Sequence, residues 1–207
     1  MQEAPAKLSV DARLFAKKEM TDLADSNITK KALATALKEL MSEKTFSKIS
    51  VSDICDKCNM NRKSFYYHFK DKYDLVNWIF DTEFICAVNE KISYDGWELL
   101  EILCNYFYEH RDFYRKALKI EGQNSFSEHF SEYLRSFIKK QLEIILKGSE
   151  VTKFHIDFFA DGFIGAITRW IIDKNCVPPE AFLSLLKSSL ISTAIYISKD
   201  LEQENQN

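Results

Sequence analysis

Glycine and proline are scarce. In 207 residues there are five Gly and three Pro, with no Pro between Pro5 and Pro178. An interval so free of helix breakers, rich in Leu, Ile, Phe, Lys and Glu, argues against a strand-and-turn architecture and predicts an all-α protein. No apolar run reaches the length of a membrane span, and no signal-peptide pattern opens the chain. Five Cys, an odd number at irregular spacing, make no disulfide framework and fit reduced thiols in a cytoplasm. The single C-x-x-C, Cys55-Asp-Lys-Cys58, has no second Cys pair to complete a zinc site, and Cys55 falls on an apolar stripe, so no metal is expected. A Gly-rich phosphate loop, an H-x-x-x-H pair and a framed Ser or Cys nucleophile are all missing. The sequence therefore supports no enzyme and no cofactor.

What is present is helical periodicity and segregated charge. The net charge of −3 does not by itself point to a nucleic-acid partner. Across residues 27–78, however, ten Lys and Arg stand against six Asp and Glu, while the rest of the chain carries eighteen against twenty-five. A basic module on an acidic body concentrates attraction for phosphate at one end. Binding to a polyanion there should weaken steeply with salt.

The most informative stretch is residues 50–72, SVSDICDKCNMNRKSFYYHFKDK. Ser50 and Asp53 have capping-box form, so a helix should start there, with Val51, Ile54 and Cys55 as its apolar stripe. Asn59 stands where the chain must turn and tolerates the left-handed conformation. Asn61 can cap a second helix running to about Phe69. Two helices joined by so short a turn form the helix-turn-helix motif. Phe65 and Phe69, four apart, must face the core, so at 100° per residue Lys63 and Tyr67 point away from it. Arg62, Ser64 and Tyr66 flank them and His68 lies at the edge. Adjacent large aromatics are unusual on a merely solvated face, and these donors suit phosphate oxygens and base edges in a major groove.

These residues resemble the DNA-binding domain of the tetracycline-repressor (TetR/AcrR) family. That pattern is a capped helix with Asp-Ile, a small-Gly-apolar turn, a polar cap, aromatic-Tyr-x-His/Tyr-Phe, and a Lys opening the next helix. Here it is Asp53-Ile54, Cys58-Asn59-Met60, Asn61, Phe65-Tyr66-Tyr67-His68-Phe69 and Lys72. The likeness implies that Arg62, Lys63, Ser64, Tyr66 and Tyr67 approach bases and nearby backbone. It further implies that His68 and Lys72 hold phosphates and that Ser52 lies near the groove. Asn59 departs from the usual Gly, and Lys63 from a commonly small residue, so the resemblance does not carry over a relative's operator preference.

Periodicity predicts helices over 28–43, 72–89, 97–110, 112–120, 125–147, 151–173 and 179–199. The expected organisation is an N-terminal extension (1–26), partly disordered, a three-helix DNA-binding domain (27–78) and a larger helical regulatory and dimerisation domain (79–207). The second domain is strongly aromatic, and large rings on several helices can enclose a ligand. Phe107, His110, Phe126, Phe130, Phe163 and Arg169 are the candidate lining, and ordinary core is the competing reading. Phe159, Phe163, Ile167 and Trp170 form one stripe, and Phe182, Leu186 and Ser189 belong to a matching face. In the resembling family the last two helices pair with their symmetry mates in a four-helix bundle, which makes these seven residues the expected dimer interface.

The expected function is a cytoplasmic, homodimeric regulator on a double-stranded operator, a repressor, released when a small-molecule effector or partner protein occupies the second domain. The alternative is a coactivator. Residues 113–130, FYRKALKIEGQNSFSEHF, are similar to a subgroup of this family that regulates dihydroxyacetone-kinase genes. That similarity implies a second domain that answers to a partner protein.

Overall fold

The computed structural model describes residues 10–89, 96–146 and 150–204. Over these residues the chain is helical, and no strand occurs among them. It divides into two compact units, Met1–Val76 and Asn77–Asn207.

The first unit opens on α1 (Val10–Glu43). This helix begins at Val10 rather than at the expected residue 28, because no Gly or Pro interrupts the sequence between those points. Residues 10–26, read from sequence as an extension, are therefore largely helical; residues 1–9 lie outside the described residues. Leu33, Ala36, Leu37, Leu40 and Met41 form the buried face of α1, the set that the 3.6-residue period selects. A 3-10 turn (Phe46–Lys48) leads to α2 (Val51–Lys57) and α3 (Arg62–His68). The capping box forms: Ser50 Oγ accepts from the Asp53 amide, and the Ser50 amide donates to Asp53 Oδ2 at 2.7 Å. Hydrogen bonding from Ser50 holds the Asp53 carboxyl down at about 2, so this cap persists deep into acid. Asn59 takes φ 55° at the turn, and Asn61 Oδ1 accepts the Ser64 amide at 2.8 Å to start α3.

α4 (Lys72–Phe80) spans the boundary between the units. It continues as a π-helical turn (Asp81–Ile85) and α5 (Cys86–Asn89). The sequence reading expected one uninterrupted helix over 72–89. The second unit adds α6 (Gly96–Glu109), α7 (Arg111–Ala117), α8 (Phe126–Ile145), α9 (Lys153–Ile172) and α10 (Pro179–Glu204). Ser125 caps α8 and Thr152 caps α9; the expected end of α8 at residue 147 lies outside the described residues. Among the described residues, no helix is long and apolar enough to cross a membrane.

The core of this unit is built from rings. Phe80 has Phe84, Phe107, Tyr114, Phe126, His129, Phe130 and Tyr133 around it at centroid distances of 5.2 to 6.4 Å. A π-turn is a strained insertion, and here polar side chains secure it. His129 Nε2 lies 2.6 Å from Asp81 Oδ1, and the Tyr106 hydroxyl donates to Glu83 Oε2 at 3.1 Å and meets the Tyr114 hydroxyl at 2.7 Å.

The Asp81 hydrogen bond raises the His129 pKa against the opposing effect of burial, and Glu132 adds to the rise. A raised folded-state pKa stabilises the fold below the unfolded value of 6.5, and that contribution is lost as pH rises through the folded value. Wild type should therefore melt above His129→Gln in mildly acidic buffer, and the gap should narrow as pH rises through the folded-state value. A gap independent of pH would refute this linkage.

Candidate nucleic-acid interface

α3 is a seven-residue helix, too short to persist alone. It is held by what its inner face buries. Phe65 is fully buried and Phe69 nearly so, with their rings 5.8 Å apart. Everything else on the helix follows from that anchoring. Arg62, Lys63, Tyr66 and Tyr67 are exposed, Tyr67 to 83%, the largest exposure among the large apolar and aromatic side chains of the described residues. A phenol that exposed has no packing reason to be there.

The outer face is partly ordered by its own contacts. The Arg62 guanidinium donates to the Tyr66 hydroxyl at 3.3 Å and lies 5.8 Å from the ring centroid, a pair four residues apart on one face. The Tyr66 hydroxyl thereby raises the Arg62 pKa further. Ser64 is half-buried, its hydroxyl donating to Asn61 Oδ1 at 3.2 Å, so that it supports the cap as well as facing outward. Tyr67 meets the His68 ring edge-on at 4.9 Å.

Of the two residues expected at phosphates, neither is freely presented. His68 Nδ1 lies 3.5 Å from Ser26 Oγ; burial, with Lys30 adding to it, depresses its pKa, which favours the neutral ring. Lys72 differs more sharply from the expectation. Its ammonium donates to the carbonyls of Ile49 at 2.7 Å and Phe46 at 2.8 Å, with Ser47 at 3.5 Å. Sequence reading missed this arrangement because the acceptors are backbone atoms. Ser52 is half-buried on α2. Cys55 is buried, and Cys58 donates its thiol to the carbonyl of Ile54 at 3.3 Å, so both are engaged in packing α2.

The expected ligand lining is not brought together as one surface. Phe107, Phe126 and Phe130 are fully buried and packed on one another at 5.2 to 6.4 Å, as core rather than as a wall. Phe163 is half-buried, while His110 and Arg169 are exposed, Arg169 lying against Gly165. Of the seven residues expected at the pairing face, the protomer itself buries two. Ile167 is fully buried and Trp170 nearly so. Trp170 is stacked between Phe182 at 4.5 Å and Tyr108 at 6.1 Å, with its indole donating to the Val177 carbonyl at 2.8 Å. Phe159, Phe182 and Leu186 are half-buried. Ser189 alone of the expected set is exposed. Among the described residues of α9 and α10, the large apolar groups left outside are Phe154 and Phe158, stacked at 6.1 Å on α9, and Leu185, Ile191, Ile195 and Tyr196 on α10.

A short capped reading helix on a three-helix head, ahead of a separate helical unit, defines a helix-turn-helix protein. Residues 33–79 match the model of bacterial regulatory proteins of the tetR family, and residues 95–192 match a transcriptional regulator C-terminal region. The chain belongs to the tetR family of regulators. It is 38% identical over 107 residues to the HTH-type dhaKLM operon transcriptional activator DhaS of Lactococcus lactis subsp. lactis strain IL1403. That match takes in 51% of this chain and 55% of the relative, so the chain spans about half the length of the curated relative it matches. A solved dihydroxyacetone kinase operon activator DhaS is similar at 28% identity and a TM-score of 0.60, covering 80% of this chain and 96% of that one. A TetR transcriptional regulator from Streptococcus agalactiae 2603V shares the fold, at 22% identity and a TM-score of 0.63, over 81% of this chain and 96% of that one. The matched proteins are transcription regulators, not enzymes.

Proposed function

We propose that the protein is a homodimeric, cytoplasmic transcription regulator that reads a two-fold operator in double-stranded DNA through α3. One observation carries the reading: Arg62, Lys63, Tyr66 and Tyr67 stand exposed on a helix whose other face is locked by buried Phe65 and Phe69. Such a face offers cationic and phenolic donors at the spacing of a major groove. Ser52 and Ser64 support the approach, and His68 with neighbouring Lys30 lies at its margin.

The experiment is base reading. Lys63→Ala or Tyr67→Ala should cost about 1–3 kcal/mol on the preferred site and much less on random duplex, relaxing sequence preference. Equal losses on both duplexes would remove these residues from base contact.

Pairing is assigned to the exposed faces of α9 and α10: Phe154, Phe158 and Gly162 on the first, Leu185, Ser189 and Tyr196 on the second. A Cβ built on Gly162 meets nothing within 4 Å, which leaves room for a second helix to approach closely. Two-fold pairing would present two reading helices one DNA turn apart, about 34–36 Å, or a longer spacing.

The control reading that the observations favour is a partner protein rather than a ligand in an aromatic cavity. The rings expected to enclose a ligand are packed on one another as core, and the curated relative is named an activator. Activation is accordingly preferred to the repression expected from sequence. Recovery of one stoichiometric protein by the full-length chain, and DNA binding unaffected by metabolites alone, are the expected results. A metabolite that alone releases the DNA would overturn this part.

A further inference from the structure

We propose that Tyr66 is the positioning residue for Arg62, its hydroxyl holding the guanidinium so that it reads a guanine in the major groove. This role rests on the DNA-binding reading above and names the base that one of its cations selects. Arg62 is the first residue of α3, directly after the Asn61 cap, and residues at the start of a reading helix are those that reach base edges. The first turn of α3 carries no acidic residue. Two cations there, Arg62 and Lys63, work against the dipole of their own helix, so helix stability does not explain them.

A guanidinium has five N–H donors in a fixed fork and no acceptor. Guanine is the base whose major-groove edge answers that fork, with two acceptors side by side, O6 and N7. An arginine on an exposed helix start explores many rotamers, and a base contact must overcome that freedom. Here one hydrogen on Nη2 is already committed. It is donated to the Tyr66 hydroxyl at 3.3 Å, one helical turn further on, where residues four apart share a face. The remaining N–H groups stay available for a base. The guanidinium carbon lies 5.8 Å from the ring centroid, so ring and hydroxyl together restrict where the fork points.

The tyrosine is itself fixed from the core. Its ring meets fully buried Phe65 edge-on at 5.5 Å, and it is 51% exposed where Tyr67 is 83% exposed. Support therefore runs from Phe65 through the Tyr66 ring to the hydroxyl and on to Arg62. A phenol that accepts one hydrogen bond still has its own proton to donate. Tyr66 can hold Arg62 and bond a phosphate oxygen at once, which ties the guanidinium to the backbone register of the duplex.

The test uses full-length wild type, Tyr66→Phe, which keeps the ring and loses the hydroxyl, and Arg62→Ala. Each is titrated, well below its Tm, on a duplex selected by the wild type from a random pool. Further copies of that duplex carry 7-deazaguanine, which keeps O6 and lacks the N7 acceptor, at one symmetric pair of guanines at a time. At one such pair the replacement should weaken wild type by about tenfold and leave Arg62→Ala unaffected. In Tyr66→Phe the same replacement should weaken binding by less than about threefold, because a guanidinium that is not held in advance gains less from the base. A tenfold penalty retained in Tyr66→Phe overturns the positioning role, even where that variant binds every duplex more weakly, since the hydroxyl would then serve a phosphate alone. A penalty retained in Arg62→Ala, or none at any guanine in wild type, overturns the guanine assignment. Wild type that enriches no duplex and binds none refutes the DNA-binding reading itself, a result distinct from the others.

Discussion

Gly162→Trp is expected to leave the protomer folded and to abolish pairing. Within the protomer the position is exposed, and a side chain placed there meets no atom within 4 Å. Thermal unfolding of the protomer should therefore move little, as for other surface substitutions. An indole on the outer face of α9 would instead occupy the space where a second helix must approach to about 8–10 Å between axes. Light scattering or sedimentation should report a monomer. Operator affinity should fall with it, by about 10²–10⁴, because two linked reading heads gain that much from effective concentration. A Gly162→Trp protein that remains dimeric and binds as wild type would place the pairing surface elsewhere.

Phe65→Ala should be the most damaging single change in the first unit. Its ring is fully buried and meets Phe69 at 5.8 Å and Tyr66 at 5.5 Å. Truncating a buried Phe to Ala costs about 3–5 kcal/mol, a large share of the stability of any domain. α3 cannot remain helical by its own propensity, so DNA binding should vanish on both specific and random duplexes. The ring core around Phe80 lies in the other unit, so calorimetry should show an early transition for the first unit and a later one that is little changed. Tyr67→Ala is the control: an exposed phenol that should leave both transitions in place while reducing discrimination. Loss of both transitions in Phe65→Ala, or retained binding, would contradict this division of labour.

The reading motif was legible in the sequence because each of its signals is local. Ser50 and Asp53, Asn59 at φ 55°, and Asn61 each act within three or four residues, and Phe65 and Phe69 then fix which way the intervening side chains point. The second unit was legible in outline through the helical period of its apolar residues. The start of α1 was not, since nothing between Val10 and residue 28 breaks a helix and an unbroken polar pattern does not declare itself.

The pairing face was harder to read, for a different reason. α9 is apolar on both sides, with Ala160, Ile167 and Ile171 on one and Phe154 and Phe158 on the other. Periodicity finds both stripes but cannot assign either to the interior. The stripe chosen from sequence contained Ile167 and Trp170, which the structure buries within the protomer. Likewise Phe107, Phe126 and Phe130 were marked from sequence as candidate ligand lining, and composition does not distinguish a ring that lines space from one that fills it. Lys72 shows the limit most clearly. Its partners are the backbone oxygens of Phe46, Ser47 and Ile49, and carbonyls carry no residue code. The π-helical turn at Asp81–Ile85 had no sequence signature either.

The most direct test of the central claim is selection of bound fragments from a random-sequence duplex pool by the full-length protein. Recovered fragments should converge on a two-fold symmetric site whose half-sites repeat at one helical turn or a longer interval. Tyr67→Ala should blur the preferred bases within each half-site without changing their spacing. Recovery of fragments in proportion to the input pool, for the wild-type protein at moderate salt, would contradict the assignment of α3 as a reading helix.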